Sequence, residues 1–135
     1  MRNPLQPLFF FSLALMAGAC APTPTEESSA LARTTALVLA ERARQIADAN
    51  TLLSLETGTG TASLPLLVSL HYLGRAPLPA ELLRWELRPD ASVTGYLVPG
   101  AAAVCVQINE LATGNPLDTS GALSCQHLVM RYRPL

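Results

Sequence analysis

Three cysteines and two histidines carry the most distinctive chemistry in this 135-residue chain: Cys20, Cys105, Cys125, His71 and His127. Cysteines make disulfides, metal ligands or redox centres, and histidines make bases or ligands. Cys125 and His127 are close enough to share a metal, with Cys105 and His71 as further ligands. Zinc sites usually present two close ligand pairs, however, and Cys105 has no close partner. A metal or redox site therefore stands as the alternative to a disulfide, and no metal or other cofactor is expected. Nor does the chain show a catalytic set. It lacks a Gly-x-Ser-x-Gly elbow, a His-Glu-x-x-His pair, a phosphate loop and a dinucleotide fingerprint. Neither histidine adjoins a carboxylate or a candidate nucleophile, so neither reads as a catalytic base. The expectation is a protein that is not an enzyme.

Cys20 sits in a different context. Arg2 precedes an apolar run from Leu8 to Met16, and the small residues Ala17, Gly18 and Ala19 follow. That order is a secretory signal peptide. The run is shorter than the roughly 20 apolar residues a transmembrane helix needs. Ala17-Gly18-Ala19-Cys20 resembles a bacterial lipobox, although the best lipoboxes carry Leu where this chain has Ala17. The resemblance implies a diacylglycerol on the Cys20 thiol and cleavage just before it. The mature protein is then exported to the periplasm or cell envelope and held to a membrane by its lipid. The other reading is an ordinary signal cut after Ala19 or Ala21, with Cys20 a bystander.

Residues 1–19 thus read as signal peptide, 20–29 as a lipid-anchored flexible tether and 30–135 as one globular domain. The stretch Ala21–Ser29, APTPTEESS, buries no apolar area and is expected to stay extended. At about 3.3 Å per residue it would reach roughly 30 Å from the bilayer. With Cys20 engaged by lipid, Cys105 and Cys125 remain as an even pair in an oxidising compartment, where a disulfide is the default.

The formal net charge is −1, and all nine basic residues are arginines. Spread thinly along the sequence, they predict no patch, and nucleic acid is not an expected partner.

The elements that must position these residues read as follows. Ala30–Leu55 has no glycine or proline and predicts one long helix, with Ser28 or Ser29 as its cap. Ala32, Ala36, Leu39, Ala43, Ile46, Asn50 and Leu53 fall on one arc, opposite Glu41, Arg44, Gln45 and Asp48. Ser63 and Pro65 open a short helix whose face is Leu66, Leu67, Leu70 and Leu73, with Gly74 at its end. Leu83, Trp85 and Leu87 alternate with Arg84, Glu86 and Arg88, a period of two that predicts a strand with Trp85 at the core edge. Pro89-Asp90 makes a turn and Val93–Val98 a second strand. Ala102–Ile108 fits either a strand or a helix. Leu123–Tyr132 predicts a closing strand with Leu128, Met130 and Tyr132 on one face. Around Tyr132, Arg131 and Arg133 make either an exposed patch or solvated flanks of a buried ring.

A long N-terminal helix comes first, then a Leu-rich helix ending in His71-Tyr72-Leu73-Gly74, then strands. Cys105-Val106-Gln107-Ile108-Asn109 and a late Cys125 complete the order. Loosely, over residues 30–135, this resembles the globular part of type IV pilins and pseudopilins. The resemblance implies an α+β fold, a helix packed on a small antiparallel sheet, with a disulfide stapling the C-terminal region. It also implies an accessory or structural role in a pilus or secretion apparatus through contacts with envelope proteins. The family's start, a glycine cleavage site followed by Phe-Thr-Leu-Ile-Glu and an apolar helix, is absent, so pilin-type polymerisation is not implied. The alternative function is a small periplasmic module binding a ligand or an envelope polymer.

The anchor is directly testable. Two acyl chains hold a protein firmly where one is marginal. Cys20→Ser is therefore expected to release the protein to the soluble fraction, or to leave its precursor uncut, with the domain still folded. A wild-type protein that takes up no lipid label and fractionates as soluble would reduce Ala17-Gly18-Ala19 to a signal-peptidase site.

Overall fold

The computed structural model describes residues 24–114 and 121–135. The expected signal segment 1–19, Cys20 and the first residues of the expected tether lie outside the described residues, as do positions 115–120. The chain divides into a segment ending at Ala30 and a compact unit, Leu31–Leu135.

Helix α1 spans Pro24–Thr57 and begins earlier than its expected start at Ala30. Pro24 suits a first helical turn, where its missing N–H leaves no bond unmade, and Glu26 and Glu27 lie at the positive end of the helix dipole. Ser28 and Ser29 are inside the helix and do not cap it. The expected tether 20–29 is corrected accordingly: from Pro24 onward it is helical, and helical residues rise only about 1.5 Å each.

Farther along α1 the expected arc is the buried one. Ala32, Ala36, Leu39, Ala43, Ile46, Asn50 and Leu53 are all buried, joined by Ala47 and Ala49. The alanines let the helix lie close to what it covers. On the outer side Arg44 bridges Glu41 and, at 3.5 Å, Asp48. Such exposed pairs add only a few tenths of a kcal/mol.

Helix α2 spans Leu64–Ser69, with Pro65 in its first turn and the Leu66 N–H donating to the Ser63 hydroxyl at 3.2 Å. Of its expected face only Leu67 and Leu73 are buried, while Leu66 and Leu70 are exposed. The helix ends too soon to present them. His71, not Gly74, takes the left-handed turn, at φ 65°. The chain then folds back so that the N–H groups of Tyr72 and Leu73 both donate to the Leu67 carbonyl. The Tyr72 hydroxyl donates to Glu56 and ties this turn to α1.

Four strands form one antiparallel sheet in the order β1-β2-β4-β3. They are β1 (Leu82–Leu87), β2 (Val93–Leu97), β3 (Gly121–Gln126) and β4 (Val129–Pro134). A bulge between Leu82 and Arg84 breaks the expected alternation in β1. An extra residue on one strand shifts the pleat, so Leu82 is buried and Leu83 is 61 % exposed. The expected single strand Leu123–Tyr132 is instead a hairpin. His127 and Leu128 form its two-residue turn at φ 51° and 60°. Two left-handed residues in succession match the right-handed twist of the flanking strands. Leu128 thus sits in the turn, while Met130 and Tyr132 point inward as expected.

The ambiguous segment is a helix. After a 3-10 turn at Pro99–Ala101, α3 runs over Ala102–Gly114 and buries Val104, Cys105 and Ile108. The helices and the inner face of the sheet share one core, filled by Leu39, Ile46, Leu67, Val93, Ile108 and Met130. The architecture is the expected α+β one, a long helix on a small antiparallel sheet.

Among the described residues, one polar side chain is buried with that core. Asn50 is fully buried, and all three of its bonds go to backbone. Its amide nitrogen donates to the carbonyls of Thr61 at 3.0 Å and Arg88 at 2.8 Å, and its oxygen accepts the Thr61 N–H at 2.8 Å. Gly60 makes room for this approach, since a Cβ there would lie 2.2 Å from the Pro89 carbonyl oxygen. Asn50→Ala removes the partners of the Thr61 N–H and carbonyl and one of the two donors to the Arg88 carbonyl. We expect it to lower stability by about 3 kcal/mol, read as a lower urea midpoint at unchanged slope.

Candidate functional site

Side chains alternate along each strand, so one face of the sheet lies under the helices and the other faces outward. Register sets the outward rows. Glu86, Thr94, Arg131 and Ser124 line up across all four strands, and Arg84, Tyr96, Val129 and Gln126 form the adjacent row. Arg88 and Arg133 frame the end of this face beside Ser92 and Ala122. Serine, threonine and alanine are too short to fill the space between the arginines. The result is a shallow concavity of about 550 Å3 framed by Arg88, Arg131 and Arg133.

This corrects the expectation that thinly spread arginines make no patch. Residues 84–88 and 131–133 are far apart in sequence, but β2 pairs with β1 on one side and β4 on the other. Four of the nine arginines thereby share one face. Of the two readings of Tyr132, the buried ring with solvated arginines is the one that forms, for Tyr132 is buried while Arg131 and Arg133 are exposed.

The charges on this face are not equivalent. Arg84 lies over the Tyr96 ring, 4.1 Å from its centroid, and 3.8 Å from Glu86. The Tyr96 hydroxyl donates to Glu86. That bond, with Arg84 and Arg88 nearby, holds the Glu86 carboxyl below its usual range and pushes the phenol above its own. Asp90 accepts from the hydroxyl of Ser92 and, at 2.9 Å, from its N–H. These bonds hold Asp90 below its usual range, helped by Arg88 and Arg133. Both acids thus stay ionised at neutral pH and are already engaged. Arg88, Arg131 and Arg133 make no ion pair and no side-chain hydrogen bond among the described residues.

The cysteines meet elsewhere. Cys105 on α3 and Cys125 on β3 are bonded, with Cα atoms 5.4 Å apart, and both are buried. One turn along α3, the Asn109 side-chain oxygen accepts the Cys125 N–H at 3.0 Å. His127 is at the tip of the β3–β4 hairpin and His71 at the exit of α2, both exposed. The structure therefore does not gather the histidines with the cysteines. Among the described residues no group of three or more His, Cys, Asp or Glu side chains is placed to hold a metal ion. Trp85 is half-buried at the core edge and faces Gly95 across the strand pair. A Cβ on Gly95 would sit 3.0 Å from the indole and 3.2 Å from the Met130 methyl.

Sequence reasoning missed the arginine concavity. The signal available to it was the alternation Arg84-Glu86-Arg88 and Arg131-Arg133, which places each set on one side of its strand. What it lacked was the pairing that sets the two side by side. Among the described residues no helix is long and apolar enough to cross a membrane. Comparison with protein families, curated proteins and solved structures returns no match.

The cysteine pair closes a loop whose ends are 20 residues apart in sequence. Confining a loop of that size in the unfolded chain is worth about 3 kcal/mol. Reduction with dithiothreitol is expected to lower the unfolding free energy by about that amount, and Cys105→Ser to match the reduced wild type. Free thiols in alkylated, non-reduced protein would contradict the pairing.

Proposed function

We propose that this chain is a lipid-anchored envelope protein that works by binding, and that the open face of the sheet is where it binds an anionic ligand or envelope polymer. One observation carries this reading. Three arginines in no close ion pair frame a concavity; the carboxylates that Arg88 and Arg133 sense, Glu86 and Asp90, already accept from Tyr96 and Ser92, and an anion from outside supplies the close partner. Neutral hydroxyls between them supply further donors and acceptors. The disulfide supports the exported address, since such bonds persist in oxidising compartments. The signal segment and Cys20 supply the anchor.

A second reading keeps the pilin-like role, an accessory or structural part of a pilus or secretion apparatus acting through protein contacts. It is favoured by the observed order of long helix, antiparallel sheet and C-terminal cysteine staple. On that reading the arginine face meets an acidic surface of the partner protein.

A melting-temperature screen of the full chain separates binding at this face from a merely solvated surface. Anionic small molecules and anionic envelope polysaccharides are expected to raise the melting temperature, and neutral sugars to leave it unchanged. The double variant Arg131→Gln, Arg133→Gln should lose the response while keeping the ligand-free melting temperature within a few degrees, because both side chains are exposed. A response that survives in the double variant would remove the face from consideration.

A further inference from the structure

The concavity on the open face offers three guanidinium groups, more positive charge than one carboxylate carries. Arg131 and Arg133 leave β4 on the same side, their Cα atoms about 7 Å apart by strand geometry. Arg88 lines the same hollow from the end of β1. A single carboxylate carries one negative charge on two coplanar oxygens, and one bidentate guanidinium balances that charge. A phosphomonoester presents three terminal oxygens in a tetrahedral array and a charge approaching −2 at neutral pH. It can accept from three arginines at once.

The rest of the lining says what else the ligand carries. A volume of about 550 Å3 exceeds what a phosphate alone would occupy and falls in the range of small-molecule sites. Thr94 and Ser124 lie in one row with Arg131, and their hydroxyls make no hydrogen bond among the described residues. Hydroxyls that can both donate and accept suit a polyol. A nucleobase is poorly served. Stacking needs a free ring, whereas Tyr96 is covered by Arg84 and Tyr132 is buried. A membrane surface is also poorly served, because the lining includes no exposed large apolar side chain to enter the bilayer.

We propose that the concavity framed by Arg88, Arg131 and Arg133 binds a small soluble phosphomonoester of a hydroxyl-rich compound. Its phosphoryl group lies among the three guanidiniums and its polyol part over Thr94 and Ser124. The proposal rests on the reading of this face as an anion-binding site and goes further in naming the chemistry.

Calorimetric titration of the full chain, at constant ionic strength set with chloride, tests it. The probes are inorganic phosphate, glucose 6-phosphate, glucose and citrate. Glucose 6-phosphate is expected to bind saturably and more tightly than inorganic phosphate or citrate, and glucose not at all. Arg131→Gln and Arg133→Gln should each weaken glucose 6-phosphate by about tenfold or more, the loss of a charge-assisted hydrogen bond. Arg131→Lys should also weaken it, since it keeps the charge but loses the fork. Arg33→Gln, on the exposed side of α1, should change nothing. Saturable citrate binding through the same arginines, with none by the phosphates, would overturn the phosphoryl assignment and leave the anion-binding reading standing. If no anion binds, both fall. Sedimentation of the Cys20→Ser protein with phosphatidylglycerol vesicles that is lost in Arg131→Gln and that glucose 6-phosphate does not reverse would overturn the soluble ligand in favour of a lipid headgroup.

Discussion

The Asn50 side chain holds three parts of the molecule in one place. It projects from the last third of α1 into the core and bonds backbone groups from two other segments, the loop at Thr61 and the end of β1 at Arg88. A buried amide is costly unless it is paired, so the packing of Ala43, Ile46 and Leu53 around it depends on those bonds being made. The same carbonyl that Asn50 takes from Arg88 also accepts the Ala91 N–H of the β1–β2 turn. The helix therefore sets where β1 ends and where β2 begins. Gly60 is part of the arrangement, because any side chain there would push the loop off the Pro89 carbonyl.

From that anchor the outer face follows. Arg88 is the residue whose carbonyl points inward to Asn50 and whose side chain frames the concavity. The position of one guanidinium is thus tied to the core through its own backbone. Arg131 and Arg133 are held from below, since Tyr132 between them is buried against the helix layer and fixes which way its neighbours point. Glu86, Asp90 and Arg84 surround the site with charges that are already paired among themselves or with Ser92 and Tyr96. The inner face is apolar and dry and the outer face polar and concave, and each strand contributes to both.

What could be read from the sequence was what repeats along the chain. The arc from Ala32 to Leu53 recurs at the period of a helix, and each of its residues is buried, Asn50 included. Its bonding partners were not readable, because they lie 11 and 38 residues away. The Cys105–Cys125 pair followed from the expectation of export and from parity, and Val104, Ile108 and Leu111 already fitted the helix that α3 proved to be. The failures share a cause, which is that local pattern does not report pairing. Apolar alternation runs from Leu123 to Tyr132 without Gly or Asn to mark the His127-Leu128 turn, so a hairpin looked like one strand. The bulge after Leu82 moves the pleat by one residue where Leu82 and Leu83 are chemically identical. The arginine face needed the register of β2 against β4, which no single segment contains. The start of α1 was hidden because Pro24, Glu26 and Glu27 suit both an extended tether and a helical first turn.

The staple between α3 and β3 has a consequence for how copies of this protein behave toward one another. β3 is the last strand on its side of the sheet and pairs only with β4. A bare outer edge is a template on which another chain can add a strand. Here the disulfide binds that edge to α3, and Asn109 takes the Cys125 N–H, which does not bond to β4 in its place. The helix thus caps the sheet against self-templating. Before the bond forms, that guard rests on one side-chain hydrogen bond and the packing of Val104 and Ile108. Oxidation then serves solubility as much as stability, by closing the edge through which growth into aggregates would begin.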